Sequence, residues 1–151
     1  MSVAPYGLTI LCDDIREELH GKSSYIGIYG GDIIIAGQVL PVTLPKLCIA
    51  FHYREPLDWP PALVKFQAFF PGNDAPLFEA PIDITKEIKD SAEDARSDPG
   101  GSIFTELRLH VALAPCVLKE EGRIRTCVSH PTAGLIRLGN FKVRLANPAV
   151  Q

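Results

Sequence analysis

Apolar and polar side chains alternate with a period of two along most of this chain, and Gly, Pro, Asn or Asp breaks the alternation roughly every eight to twelve residues. In the clearest stretch Leu107, Leu109, Val111 and Leu113 face one way while Arg108 and His110 face the other, the pattern of a strand with one face buried. Parallel strands covered on both faces would read as nearly continuous apolar runs joined by long crossover helices, and the chain has neither. The expected fold is therefore all-β. It is a single antiparallel β-sandwich domain over residues 1–151, jelly-roll or immunoglobulin-like, with about seven to nine strands.

Turn residues place the strands at 8–18, 23–29, 32–39, 47–53, 63–70, 77–84, 103–117, 123–130 and 135–145. His20-Gly21-Lys22 supplies a turn in which Gly21 takes positive φ, and Gly30-Gly31 marks either a second hairpin or a bulge. Residues 86–96 alone have helical character. They predict one short helical turn, capped by Ser91 with Asp94, whose thin apolar face of Ile88, Ala92 and Ala95 leaves a mobile connection ending at Pro99-Gly100-Gly101. Strands 103–117 and 123–130 form a hairpin around Glu120-Glu121-Gly122. A two-residue turn there sets Cys116 opposite Cys127; a type I turn with Gly122 as the following bulge sets Thr126 there, and both registers stand. Residues 147–151 read as a frayed end.

With 151 residues, 46% hydrophobic, and a formal net charge of −3 spread along the chain, the composition is that of an ordinary globular domain. Nothing in it favours nucleic acid or a membrane as partner. Met1-Ser2-Val3-Ala4-Pro5-Tyr6-Gly7 lacks the basic head and apolar run of a secretory signal, and runs such as Ile33-Ile34-Ile35-Ala36 fall far short of the ~20 residues that span a bilayer. A cytoplasmic location is expected.

Side chains able to do chemistry are scattered. Cys12, Cys48, Cys116 and Cys127 show no Cys-x-x-Cys spacing, which argues against structural zinc, and Cys12 continues the apolar face of Leu8 and Ile10. Among the candidate bases, His20 sits in a turn, His110 faces solvent and His130 stands before Pro131. His52 shares a strand face with Cys48, but four strand residues separate them by about 13 Å, too far for a dyad. Asp13 and Asp14, near Glu17, Glu18 and Asp32, point to opposite faces unless the strand has ended there, so they read as solvated charges and not as a cation site. Gly27-Ile28-Tyr29-Gly30-Gly31 lacks the dinucleotide fingerprint. Trp59, held among Pro56, Pro60 and Pro61, is either a contact for a ligand or neighbouring subunit, or a lid on the open end of the core. Trp59 and His52 are the ligand-binding candidates; the sequence offers no catalytic residue, no metal ligand and no cofactor.

Leu11-Cys12-Asp13-Asp14-Ile15-Arg16-Glu17-Glu18, then Gly21-Lys22, Tyr25-Ile26-Gly27-Ile28-Tyr29-Gly30 and Leu44-Pro45-Lys46-Leu47, resembles a family of small uncharacterised bacterial proteins, mainly over residues 8–47. That family has no established activity. The resemblance implies a bacterial cytoplasmic setting, with a phage association, and transfers no site residue.

The functional expectation is a non-catalytic binding or assembly module, acting on itself as a homodimer through exposed strand edges or on another protein. The alternative is a hydrolase or metal-dependent enzyme whose site, drawing on His52, Asp13, Asp14 or Cys48, is assembled only in the fold.

Overall fold

Two twisted sheets pack face to face in the computed structural model, which describes residues 4–37, 39–96 and 103–146, with the side chains of 92–96 outside that description. The strands are β1 (Tyr6–Glu17), β2 (Ser23–Ile28), β3 (Asp32–Ile35), β4 (Val42–Leu44), β5 (Leu47–Pro56), β6 (Ala62–Phe69), β7 (Phe78–Ile84), β8 (Phe104–Leu113), β9 (Cys116–Leu118), β10 (Gly122–His130) and β11 (Gly134–Leu145). One α-helix, α1 (Lys86–Arg96), joins β7 to β8. One sheet has the order β2-β1-β5-β8 and the other β3-β11-β10-β6-β7, while β4 and β9 make a separate two-stranded ribbon.

The fold is the all-β sandwich that the alternation predicts, with eleven strands among the described residues instead of seven to nine. Residues 42–44 carry the strand that the sequence hides between Pro41 and Pro45. One pair, β11 with β3, is parallel. The chain leaves the first sheet at Gly30-Gly31, which makes neither hairpin nor bulge, and crosses to the edge of the second sheet running in the direction of β11.

The expected hairpin between 103–117 and 123–130 does not form. Pro115 has no N–H to give to a ladder, so β8 ends at Leu113 and β9 turns away to pair with β4, setting Cys116 opposite Leu44. Neither register proposed for Cys116 is realised. Cys127 faces Gln67 on one side and Arg137 on the other, and all four cysteines are buried free thiols.

Inward-facing residues of both sheets form one apolar cluster, with Leu11, Ile49, Phe51 and Tyr53 from the first sheet meeting Val64, Phe66, Ile124 and Val128 from the second. Phe51 meets Phe66 edge to face at 5.4 Å, a favoured aromatic geometry.

The segment 86–96 is a helix of eleven residues, longer than a single turn. Its cap is Thr85, whose Oγ1 accepts a 3.4 Å hydrogen bond from Ile88 N, and Ser91 instead donates to Glu87 O one turn back. Ile88 packs on the core, but the deepest described side chain is charged: Lys89, 6% exposed, donates to Glu55, which is fully buried. Ala92, Ala95, Pro99, Gly100, Gly101 and the expected frayed end at 147–151 lie outside the described side chains or residues.

Candidate functional site

Three strands supply the outer face of the first sheet. Along β1 the even residues Leu8, Ile10 and Cys12 point outward, along β5 Cys48, Ala50, His52 and Arg54, and along β8 Glu106, Arg108, His110 and Ala112. Cys12, Cys48 and Ala50 are buried all the same. Their cover is the far half of the β1–β2 hairpin, which pairs with β5 only as far as Cys12 and then curls over the sheet.

Hydrogen bonds tie that hairpin down. The Tyr25 hydroxyl stands 2.9 Å from His52 Nε2 and 2.9 Å from His110 Nε2. His110 Nδ1 lies 2.7 Å from Glu17 Oε1. With Glu17 ionised, Nδ1–H of His110 donates to the carboxylate, its Nε2 accepts from Tyr25 O–H, and the phenol oxygen accepts from His52 Nε2–H, so one proton serves each link. Glu17 is held below the usual carboxylate range, first by that His110 bond and next by a 3.1 Å bond from Ser23. Burial raises the Tyr25 phenol, keeping it a donor, and burial together with Arg108 and His110 holds His52 below its ordinary value.

Beside His52 the face opens into a groove of about 320 Å³, walled by Tyr6, Leu8, His52, Arg54, Glu106 and Arg108. Glu106 accepts from Arg54 Nη2 at 2.8 Å and from Arg108 Nε at 2.7 Å, and Arg54 also donates to Tyr6 at 3.4 Å.

His110 does not stand free in solvent as its alternation implies. It points to the outer face, but Tyr25 and Glu17 close over it, a tertiary contact that strand periodicity cannot register. Asp13 and Asp14 part company: Asp13 accepts from Tyr29 at 2.8 Å and Asp14 pairs with Lys46 at 2.5 Å. Cys48 lies directly opposite Cys12, a pairing the sequence did not reveal because β1 and β5 are 36 residues apart at that contact. Burial, reinforced by Cys48 and Asp13, pushes the Cys12 thiol up to about 11. Among the described residues no group of three or more His, Cys, Asp or Glu side chains is placed to hold a metal ion.

Trp59 lies just beyond the end of β5 and belongs to a cluster on the inner side of that strand. Its ring sits 4.9 Å from that of His130, which is 3% exposed. His130 Nδ1 accepts from Thr132 N at 3.0 Å and Ala133 N at 3.1 Å, which leaves Nε2 to carry the proton of the neutral ring, 3.6 Å from Glu55 Oε2. Tyr53 donates to the same oxygen at 2.9 Å, and Lys89 holds Oε1. Trp59 and His52 thus belong to two separate clusters. Sequence reasoning missed Glu55 and Lys89 because an ion reads as solvent-facing until its counter-ion, 34 residues away, is known.

No protein-family model matches this chain, and a search of curated proteins gives no match. No helix among the described residues is long and apolar enough to cross a membrane.

Proposed function

We propose that the protein is a non-catalytic assembly module of the bacterial cytoplasm that joins a second copy of itself by extending the sheet at β2. The observation that carries this reading is the character of that edge. Ser23-Ser24-Tyr25-Ile26-Gly27-Ile28 contains no charge and no proline, and Ile26 and Ile28 are 40% and 59% exposed. The other edges of the two large sheets are blunted: β7 carries Glu79, Pro81 and Asp83, β8 carries Glu106 and Arg108, and β3 has four residues beginning with an ion-paired Asp32. An uncharged strand can pair antiparallel with its own copy without placing like charges opposite each other.

The Tyr25 anchor supports the same reading, since it fixes β2 in place before any partner arrives and so lowers the ordering entropy of association. Four buried free thiols accord with a reducing compartment, and the bacterial setting rests on the resemblance of residues 8–47. Against hydrolysis, the thiols nearest His52 are enclosed under the hairpin, and Cys12 is held in its protonated, weakly nucleophilic form.

Sedimentation velocity over a range of concentrations tests the proposal. Concentration-dependent dimers that Ile26→Lys with Ile28→Lys abolishes, with an unchanged circular dichroism spectrum, are expected. A chain that stays monomeric at the highest soluble concentration overturns it.

A further inference from the structure

The outer face of the second sheet, opposite β2, carries an excess of positive charge that the chain's net −3 conceals. Arg123 and Arg125 point outward from β10, and Arg137 and Lys142 stand beside them on β11. Among the described residues none of the four has an ion-pair partner, and of the remaining cations with described side chains only Lys22 and Lys119 share that condition. Arg54, Arg108, Lys65 and Arg144 each face a carboxylate on their own sheet.

The face is also shaped. A register shift between Thr126 and Cys127 opens a recess of about 390 Å³, lined by Arg125, Cys127, Leu135, Arg137, Leu138 and Asn140, with no carboxylate in its wall. Gly139 holds the bulge tight, since a Cβ there would meet Thr126 Oγ1 at 2.8 Å and the Phe141 ring at 2.7 Å. Two of the cations are pre-positioned: the Arg125 guanidinium lies 5.7 Å over the Phe69 ring, and Arg123 donates to Asn140 Oδ1 at 3.3 Å. Leu135 and Leu138 give the recess an apolar side.

We propose that this bulged face of β10 and β11 binds a phosphorylated small molecule, with Arg125 and Arg137 holding its phosphates and the recess taking its body. Arg125 lies opposite Asn140 and Arg137 opposite Cys127, so the two arginines flank the register shift on one face of the ladder, and both line the recess. Two guanidinium forks on one recess suit a ligand with two linked phosphates better than a single carboxylate, each fork matching a phosphate bidentately. Lys142 and Arg123 extend the same field. The recess volume falls in the range of small-molecule sites. The site lies on the sheet away from β2, so it stands or falls independently of self-assembly.

Isothermal titration calorimetry at physiological salt with inorganic pyrophosphate and with ADP is the test. Saturable binding of both is expected, tighter for ADP because the recess holds its nucleoside. Arg125→Ala and Arg137→Ala each weaken it by about ten-fold or more, as losing a charge-assisted contact does. Arg137→Lys, which keeps the charge without the fork and guards against a folding defect, loses part of the affinity, and Lys86→Ala on α1 leaves it unchanged. No saturable heat at millimolar ligand, or binding by both alanine variants as tight as that of the native chain, overturns the proposal. So does tight binding of a polythymidine oligomer by a protein that ignores pyrophosphate.

Discussion

Thr126 on β10 donates a 2.7 Å hydrogen bond to Thr9 on β1, 117 positions away, and so links the two sheets from inside the sandwich. Both hydroxyls are buried. Thr126→Val leaves the Thr9 hydroxyl without its donor and is expected to cost about 1–3 kcal/mol, while Thr9→Val with Thr126→Val together costs less than the single change. Urea denaturation of the three variants reads the difference.

Removing the phenol oxygen of Tyr25 separates hairpin anchoring from folding. Tyr25→Phe keeps the ring but unties His52 and His110 from β2, with an expected loss of about 1–2 kcal/mol. Amide hydrogen exchange then accelerates across residues 15–28 and not in β10 or β6. A uniform change across the molecule would show that the bond is not a local latch.

Thiol chemistry reports on the same latch. Burial lifts Cys12 and Cys116 to about 11, so neither offers a thiolate at neutral pH. Ellman's reagent is expected to label none of the four cysteines in the folded protein within minutes. Tyr25→Phe is expected to expose Cys12 and Cys48 to labelling while Cys116 and Cys127 stay protected.

Acid weakens the outer face in a definite order. The folded-state value of His52 lies below its ordinary 6.5, so the unfolded chain takes up this proton first, and the stability His52 contributes is present above 6.5 and is lost as pH falls through the folded value. Glu17, depressed below 4.5, follows the same sign at lower pH. Thermal melts between pH 7.5 and 5 are expected to show a falling midpoint in the native chain and a flatter profile in His52→Gln.

Breaking the buried Glu55–Lys89 pair costs more. Glu55→Gln or Lys89→Met each strands a partner in the core, with an expected loss of about 3–5 kcal/mol, whereas Glu55→Leu with Lys89→Met recovers most of it. Chemical denaturation distinguishes the outcomes.

Sequence periodicity made the sheets legible, because burying one face of a strand writes itself into every second residue: Val64, Phe66 and Ala68 are buried and Lys65 is exposed, as their alternation demands. The order of strands was not legible. Pro115 marks the break between β8 and β9 locally, but nothing near it in the chain says that β9 then pairs with β4, about 70 residues away. His52 was singled out from its strand alone, but its partners come from positions 27 and 58 residues away, and only the curl of β1 beyond Cys12 brings them together. Lys89 was lost for the opposite reason, a residue type that periodicity assigns to water and the fold assigns to Glu55.

That lysine also fixes the character of α1. A stopper secured by oil resists removal because its surface dislikes water; one secured by an ammonium group does not, since both ions regain their hydration as it lifts. The Trp59 end of the sandwich is therefore closed by a group equally at home in water.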